Sequence, residues 1–107
     1  MKVIIKRPCD QFGEETTIPN TLRALQEAVG GYIEAVTLDN GVVLICNEEG
    51  KIRDMPYNFT LRRMRGVVTI QNAIFGTVIA CGAEGDQLAD IPIDFNEWKS
   101  LLCEWGN

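Results

Sequence analysis

Asp39-Asn40-Gly41 divides two β-rich runs, Tyr32-Ile33-Glu34-Ala35-Val36-Thr37-Leu38 and Val42-Val43-Leu44-Ile45-Cys46. Asn-Gly supplies the positive φ angles of a tight hairpin turn, so these runs predict a pair of antiparallel strands. A paired hairpin needs further strands and a helix to cover it, and the rest of the chain offers both. Val3-Ile4-Ile5 reads as a first strand ended by Pro8, and Glu14 to Ile18 as a second ended by Pro19. Val67 to Ile70 and Gly76 to Cys81 are further strand candidates, while Phe59 to Arg65 reads as a short helix or an irregular segment.

Two helices are expected. Asn20 is a suitable cap for the first, in which Leu22, Leu25 and Val29 recur at helical spacing and Gly30-Gly31 forms the stop. Asp94-Phe95-Asn96-Glu97 opens the second, over about 94–105, with an arrangement like a capping box. Phe95, Trp98, Leu101, Leu102 and Trp105 give it an apolar stripe. At 107 residues and 46% apolar content the chain fits one domain. The predicted fold is therefore a single α+β domain over 1–107, with a mostly antiparallel sheet of about five strands and two packed helices.

Charge is unevenly spread. Residues 51–83 carry Lys51, Arg53, Arg62, Arg63 and Arg65 against Asp54 alone, within a chain of net charge −5. Acidic flanks enclose this basic middle, and Glu84, Asp86, Asp90, Asp94, Glu97 and Glu104 crowd the second flank. A chain this acidic is not expected to bind nucleic acid directly by bulk electrostatics. No apolar run approaches the roughly 20 residues of a membrane-spanning helix, and three apolar residues after Lys2 are too few for a signal-peptide core. A cytoplasmic protein with no membrane partner is expected.

No histidine is present, which excludes imidazole bases and imidazole metal ligands. Cys9, Cys46, Cys81 and Cys103 show no paired spacing and are expected to be buried, reduced thiols. Glu48 and Glu49 read as solvated turn charges rather than a catalytic carboxylate pair. The expectation is a non-enzymatic protein without cofactor or metal.

Four blocks carry a resemblance. They are Thr21 to Glu34, Val43 to Lys51, Pro56-x-Asn58 and Gly76-Thr77-Val78. In order and spacing they resemble the domain-of-unknown-function family 3846 over about residues 1–82. Tyr57 stands where the family usually has another proline, and Phe59 where it usually has arginine. The resemblance implies a setting in phages, plasmids and other mobile elements of bacteria, without a settled activity.

Two readings of the Asn58 loop follow. In one, Gly50 supplies an unusual backbone angle and Asn58 ties the loop to main-chain groups. In the other, Asn47, Lys51, Tyr57, Asn58, Arg62, Arg63 and Arg65 form a ligand site, where asparagine meets a base or ribose, arginines grip phosphate and an aromatic ring stacks. The mobile-element setting then predicts a small protein that counters bacterial defence by sequestering an anionic nucleotide signal. An alternative is an acidic inhibitor of a host defence protein such as a nuclease, with Asp86, Asp90 and Asp94 imitating a nucleic-acid backbone. A structural or regulatory accessory of the mobile element is a third reading. Trp98 and Trp105 are candidates for a subunit boundary in a homo-oligomer, or for the core.

Overall fold

The computed structural model describes residues 1–106, with the side chain of Arg65 left aside. Its strands are β1 (Lys2–Lys6), β2 (Glu14–Thr17), β3 (Ile33–Thr37), β4 (Val43–Asn47), β5 (Tyr57–Arg65), β6 (Val68–Phe75), β7 (Val78–Glu84) and β8 (Gln87–Ala89). Helix α1 spans Leu22–Val29 and α2 spans Phe95–Glu104. The main sheet runs β2-β1-β7-β4-β3, and β8 pairs the far end of β7. Every pairing is antiparallel. The α+β class with a mostly antiparallel sheet and two packed helices holds: five strands order the main sheet, β8 extends it at β7, and β5 and β6 form a further pair.

Strand alternation divides the core into two layers. Val3 and Ile5 of β1, Val43 and Ile45 of β4, and Ile79 and Cys81 of β7 face Leu25 and Val29 of α1. Ile4, Leu44, Cys46, Val78 and Ala80 point the other way, toward Phe59, Leu61, Trp98, Leu102 and Trp105. A strand covered on both faces has no solvent face to mark with polar residues, which is why β4 is buried along its whole length.

The local signals are resolved with corrections. In the β3–β4 hairpin Gly41 alone takes a positive φ, at 86°, and Leu38 N–H donates to Val42 O at 2.8 Å. This is a three-residue loop with glycine in the left-handed position, not a two-residue Asn-Gly turn. The cap of α1 is Thr21, whose Oγ1 accepts from Ala24 N at 3.1 Å, rather than Asn20. Asn20 instead donates to Leu88 O. Gly30 ends α1 at φ 79°, and Asp94 caps α2 by accepting from Glu97 N at 2.8 Å.

Residues 59–65 are neither helical nor irregular. Phe59 and Leu61 alternate inward, and β5 pairs with β6 in a separate two-stranded hairpin. Its root packs over the main sheet, while its outer half, 62–71, is mostly exposed. We call this hairpin the arm. The expectation of four buried thiols holds for Cys46 and Cys81 only, since Cys9 and Cys103 are exposed. Among the described residues, no helix is long and apolar enough to cross a membrane.

Candidate functional site

The arm joins the body at a polar pin. Asn58 lies at a bulge in β5 and is 8% exposed. Its Nδ2 donates to Lys6 O at 2.9 Å and to Gly76 O at 2.8 Å, while its Oδ1 accepts from Lys6 Nζ at 2.5 Å. One side chain therefore ties the end of β1, the start of β5 and the residue after β6. The Lys6 ammonium is nearly enclosed and lies 5.7 Å from the Phe59 ring centre. Burial lowers its pKa from the ordinary 10.5, against the raising effect of Asp10 and Cys9.

Other residues of the four blocks converge here. Gly76 N donates to Pro56 O at 2.7 Å, and Met55 packs against Gly76. Gly50 lacks the left-handed angle expected of it; a Cβ there would stand 2.9 Å from Phe75 O. Its requirement is close approach of two backbones. The main-chain-tying role anticipated for Asn58 is what this geometry displays.

Replacing Asn58 with alanine leaves two carbonyls and an ammonium without their partner in a dry site. Unsatisfied buried groups cost about 1–3 kcal/mol each before relaxation, so Asn58→Ala is expected to lose about 2–3 kcal/mol in urea denaturation. Hydrogen exchange should quicken first in the arm amides. A loss under about 0.5 kcal/mol, the range of neutral surface changes, would show that the pin is decorative.

The anticipated ligand residues do not meet. Asn47 is buried, donating to Val29 O at 3.2 Å and accepting from Glu49 N at 2.8 Å. With Lys51 it borders a cleft of about 110 Å³, whose carboxylates are Glu34 and Glu48. That volume is below the roughly 300 Å³ at which small-molecule pockets begin, and two carboxylates against one lysine disfavour an anion. Tyr57 is on the outer face of the arm, edge-on to Phe75, with its hydroxyl 2.5 Å from Thr60 Oγ1.

Arg62 and Arg63 occupy opposite faces of β5. The Arg62 guanidinium rests by Gly106, and Arg63 Nη1 donates to Thr37 O at 3.5 Å. Arg63 Nε is buried with no hydrogen-bond partner. The side chain of Arg65 lies outside the described residues. Around these cations the arm exposes apolar groups: Met64 is 65% exposed, Val68 58% and Val67 at the turn 96%.

The anticipated protein interface also divides. Trp98 and Trp105 are in the core, not on the surface, because Phe59 of the arm fills the angle between them. Phe59 stacks on Trp105 at 5.8 Å and meets Trp98 edge-on at 6.2 Å. Trp98 Nε1 donates to Phe12 O at 2.7 Å. Asp94 is spent on capping α2, and Asp90 Oδ1 accepts from Lys2 N at 2.7 Å. Asp86 is exposed near the β7–β8 turn.

Sequence reasoning missed the arm as a unit. Its available signal was Phe59 and Leu61 at strand spacing, followed by Gly66-Val67 between two runs free of proline. It also missed a groove where Arg7 and Phe12 meet Phe95 and Lys99 of α2, because no local spacing connects the first pair to the second.

A family model described as a domain of unknown function, DUF3846, matches residues 1–102. This extends through most of α2, beyond the residue-82 limit of the resemblance. No curated protein and no solved structure gave a match.

Proposed function

The chain belongs to the DUF3846 family, and from that premise we propose that it acts by binding a partner protein rather than by chemistry, with the arm as its contact. The arm is the observation that carries this reading. It presents arginines without a single carboxylate between residues 55 and 83, interleaved with exposed Met64, Val67 and Val68. Arginine, methionine and aromatic side chains are the groups enriched where protein interfaces form. The complementary surface is acidic with an apolar centre. In the mobile-element setting implied by the family, the partner is a protein of a bacterial defence system, and occupancy of that protein is the function.

The acidic-mimic reading has less support, because Asp90 and Asp94 already serve the chain's own backbone. Sequestration of a nucleotide through Asn58 and the arm arginines has less as well, since Asn58 has its hydrogen bonds committed inside the root.

The test is protection of an incoming phage or plasmid in bacteria with and without active defence. Reversing charge with Arg62→Glu and Arg63→Glu should remove protection, while Asp86→Asn should leave it intact. A photo-crosslinker at Val67 should capture one acidic partner from wild type and lose it in the charge-reversed arm. Full protection by the charge-reversed chain would sink the proposal.

A further inference from the structure

A second site is formed away from the arm, beyond the reading above and independent of it. Arg7 follows β1, Phe12 is in the loop before β2, and Phe95 and Lys99 belong to α2. Together with Asp10 and Glu14 they line an open groove of about 540 Å³. That volume falls within the range of small-molecule sites.

The groove is held firmly. Gly13 has φ 92°, and a Cβ there would collide with Ile5 O, so the loop is pressed against β1. The Phe12 carbonyl is fixed by Trp98 Nε1 at 2.7 Å. Phe12 is therefore anchored to both the sheet and α2 before any ligand arrives.

The lining holds two cations and two carboxylates, and the cation outside the ion pairs, Lys99, is what points to an anion. Lys99 Nζ lies 5.7 Å from the Phe12 ring centre and 5.5 Å from that of Phe95. Among the described residues it has no carboxylate within ion-pair distance. Ring faces attract an ammonium without neutralising it, so its full charge is offered to the groove. Arg7 Nη1 stands beside Glu14 at 3.3 Å and Asp10 at 3.9 Å. All three side chains are substantially solvated, and such surface pairs are weak enough for an incoming phosphate to compete.

We propose that this groove binds a small anion carrying a flat aromatic ring, of the nucleoside monophosphate class. The phosphate meets Lys99 and the Arg7 fork, and the ring packs on Phe12 or Phe95. Arginine supplies paired donors in a plane and lysine a point charge, which suits a tetrahedral oxyanion. The aromatic pair supplies a sequence-tolerant platform for a base.

Titration calorimetry with AMP, ribose 5-phosphate and adenosine tests it on the intact chain. AMP is expected to bind at least about tenfold more tightly than either fragment, a difference easily resolved in Kd. Lys99→Gln and, separately, Phe12→Leu should each weaken AMP binding, while the charge-reversed Arg62/Arg63 arm should leave it unchanged. The tryptophan fluorescence of each variant verifies that Trp98 remains buried. No saturable binding of AMP at millimolar concentration overturns the proposal. So does equal binding of ribose 5-phosphate, which would mark a plain anion site, and so does unchanged affinity in both variants. Loss of AMP binding in the arm variant would move the site to the arm and also overturn it.

Discussion

Trp98→Ala is expected to destabilise the domain by about 4 kcal/mol, the middle of what a truncated core aromatic costs. Trp98 is fully buried, and its ring is edge-on to both Phe59 and Trp105. Alanine would empty the space where α2, the arm and the sheet meet, and few of these neighbours can collapse into it. The Phe12 carbonyl would also lose its indole donor. For a chain of about this length, 1 kcal/mol moves Tm by roughly 4–8 °C, so a fall of roughly 20 °C is expected. Trp98→Phe retains most of the apolar volume and should lose less than half as much. Differential scanning calorimetry measures stability, and native mass spectrometry on the same samples reports subunit number. A variant with unchanged Tm but altered assembly would show that Trp98 is a boundary residue after all.

Raising the pH from 9 to 11 should weaken the fold by several kcal/mol through two thiols. Burial pushes the Cys81 thiol from the ordinary 9.0 up to about 11. Burial does the same to Cys46, helped by Glu34 across the β3–β4 pair, also to about 11. In the unfolded chain both thiols ionise near 9, while in the folded chain they remain protonated until about 11. Their contribution is thus present in full below pH 9 and disappears as pH rises through 11. A tenfold difference in acidity between the folded and unfolded chain is worth about 1.4 kcal/mol, which bounds the contribution at about 2–3 kcal/mol for each thiol. Lys6 works in the opposite direction: its ammonium is disfavoured when buried, and that cost is relieved as pH climbs toward 10.5. The thiols prevail because there are two of them in drier surroundings. Urea titrations at pH 8, 9, 10 and 11 measure the slope. Joint replacement of Cys46 and Cys81 by alanine should flatten it or reverse its sign. An unaltered slope in that double variant would refute the assignment.

Features set by neighbouring residues were legible in the chain. The capping carboxylate of Asp94, the Gly30 stop and the runs flanking Asp39-Asn40-Gly41 are short-range signals, and each corresponds to an observed feature. The arm was misjudged because its inward alternation lasts only from Phe59 to Leu61, after which the arginines leave the core and mask the strand period. β8 was invisible since a three-residue strand has no period to show. Asn58 reads from sequence equally as a main-chain tie or a ligand residue, because its partners at Lys6 and Gly76 are set by sheet order, which no local pattern reports. The Lys99 groove was hidden for the same reason. Phe95 and Lys99 share α2, but Phe12 lies more than 80 residues before them.

The position of β7 bears on how the protein is made. It lies between β1 and β4 in the sheet, yet it follows β1 by more than 70 residues in the chain. At a synthesis rate of about 5–20 residues per second, β1 waits on the order of 4–15 s for its partner to be translated. During that interval Val3, Ile4 and Ile5 have only the polar β2 beside them, with one strand edge open. An unpaired apolar edge is a template for other nascent chains. Ribosomes queued along one message hold several such edges close together. Slowing initiation is therefore expected to raise the folded yield more than slowing elongation, which the soluble fraction at matched total expression would measure.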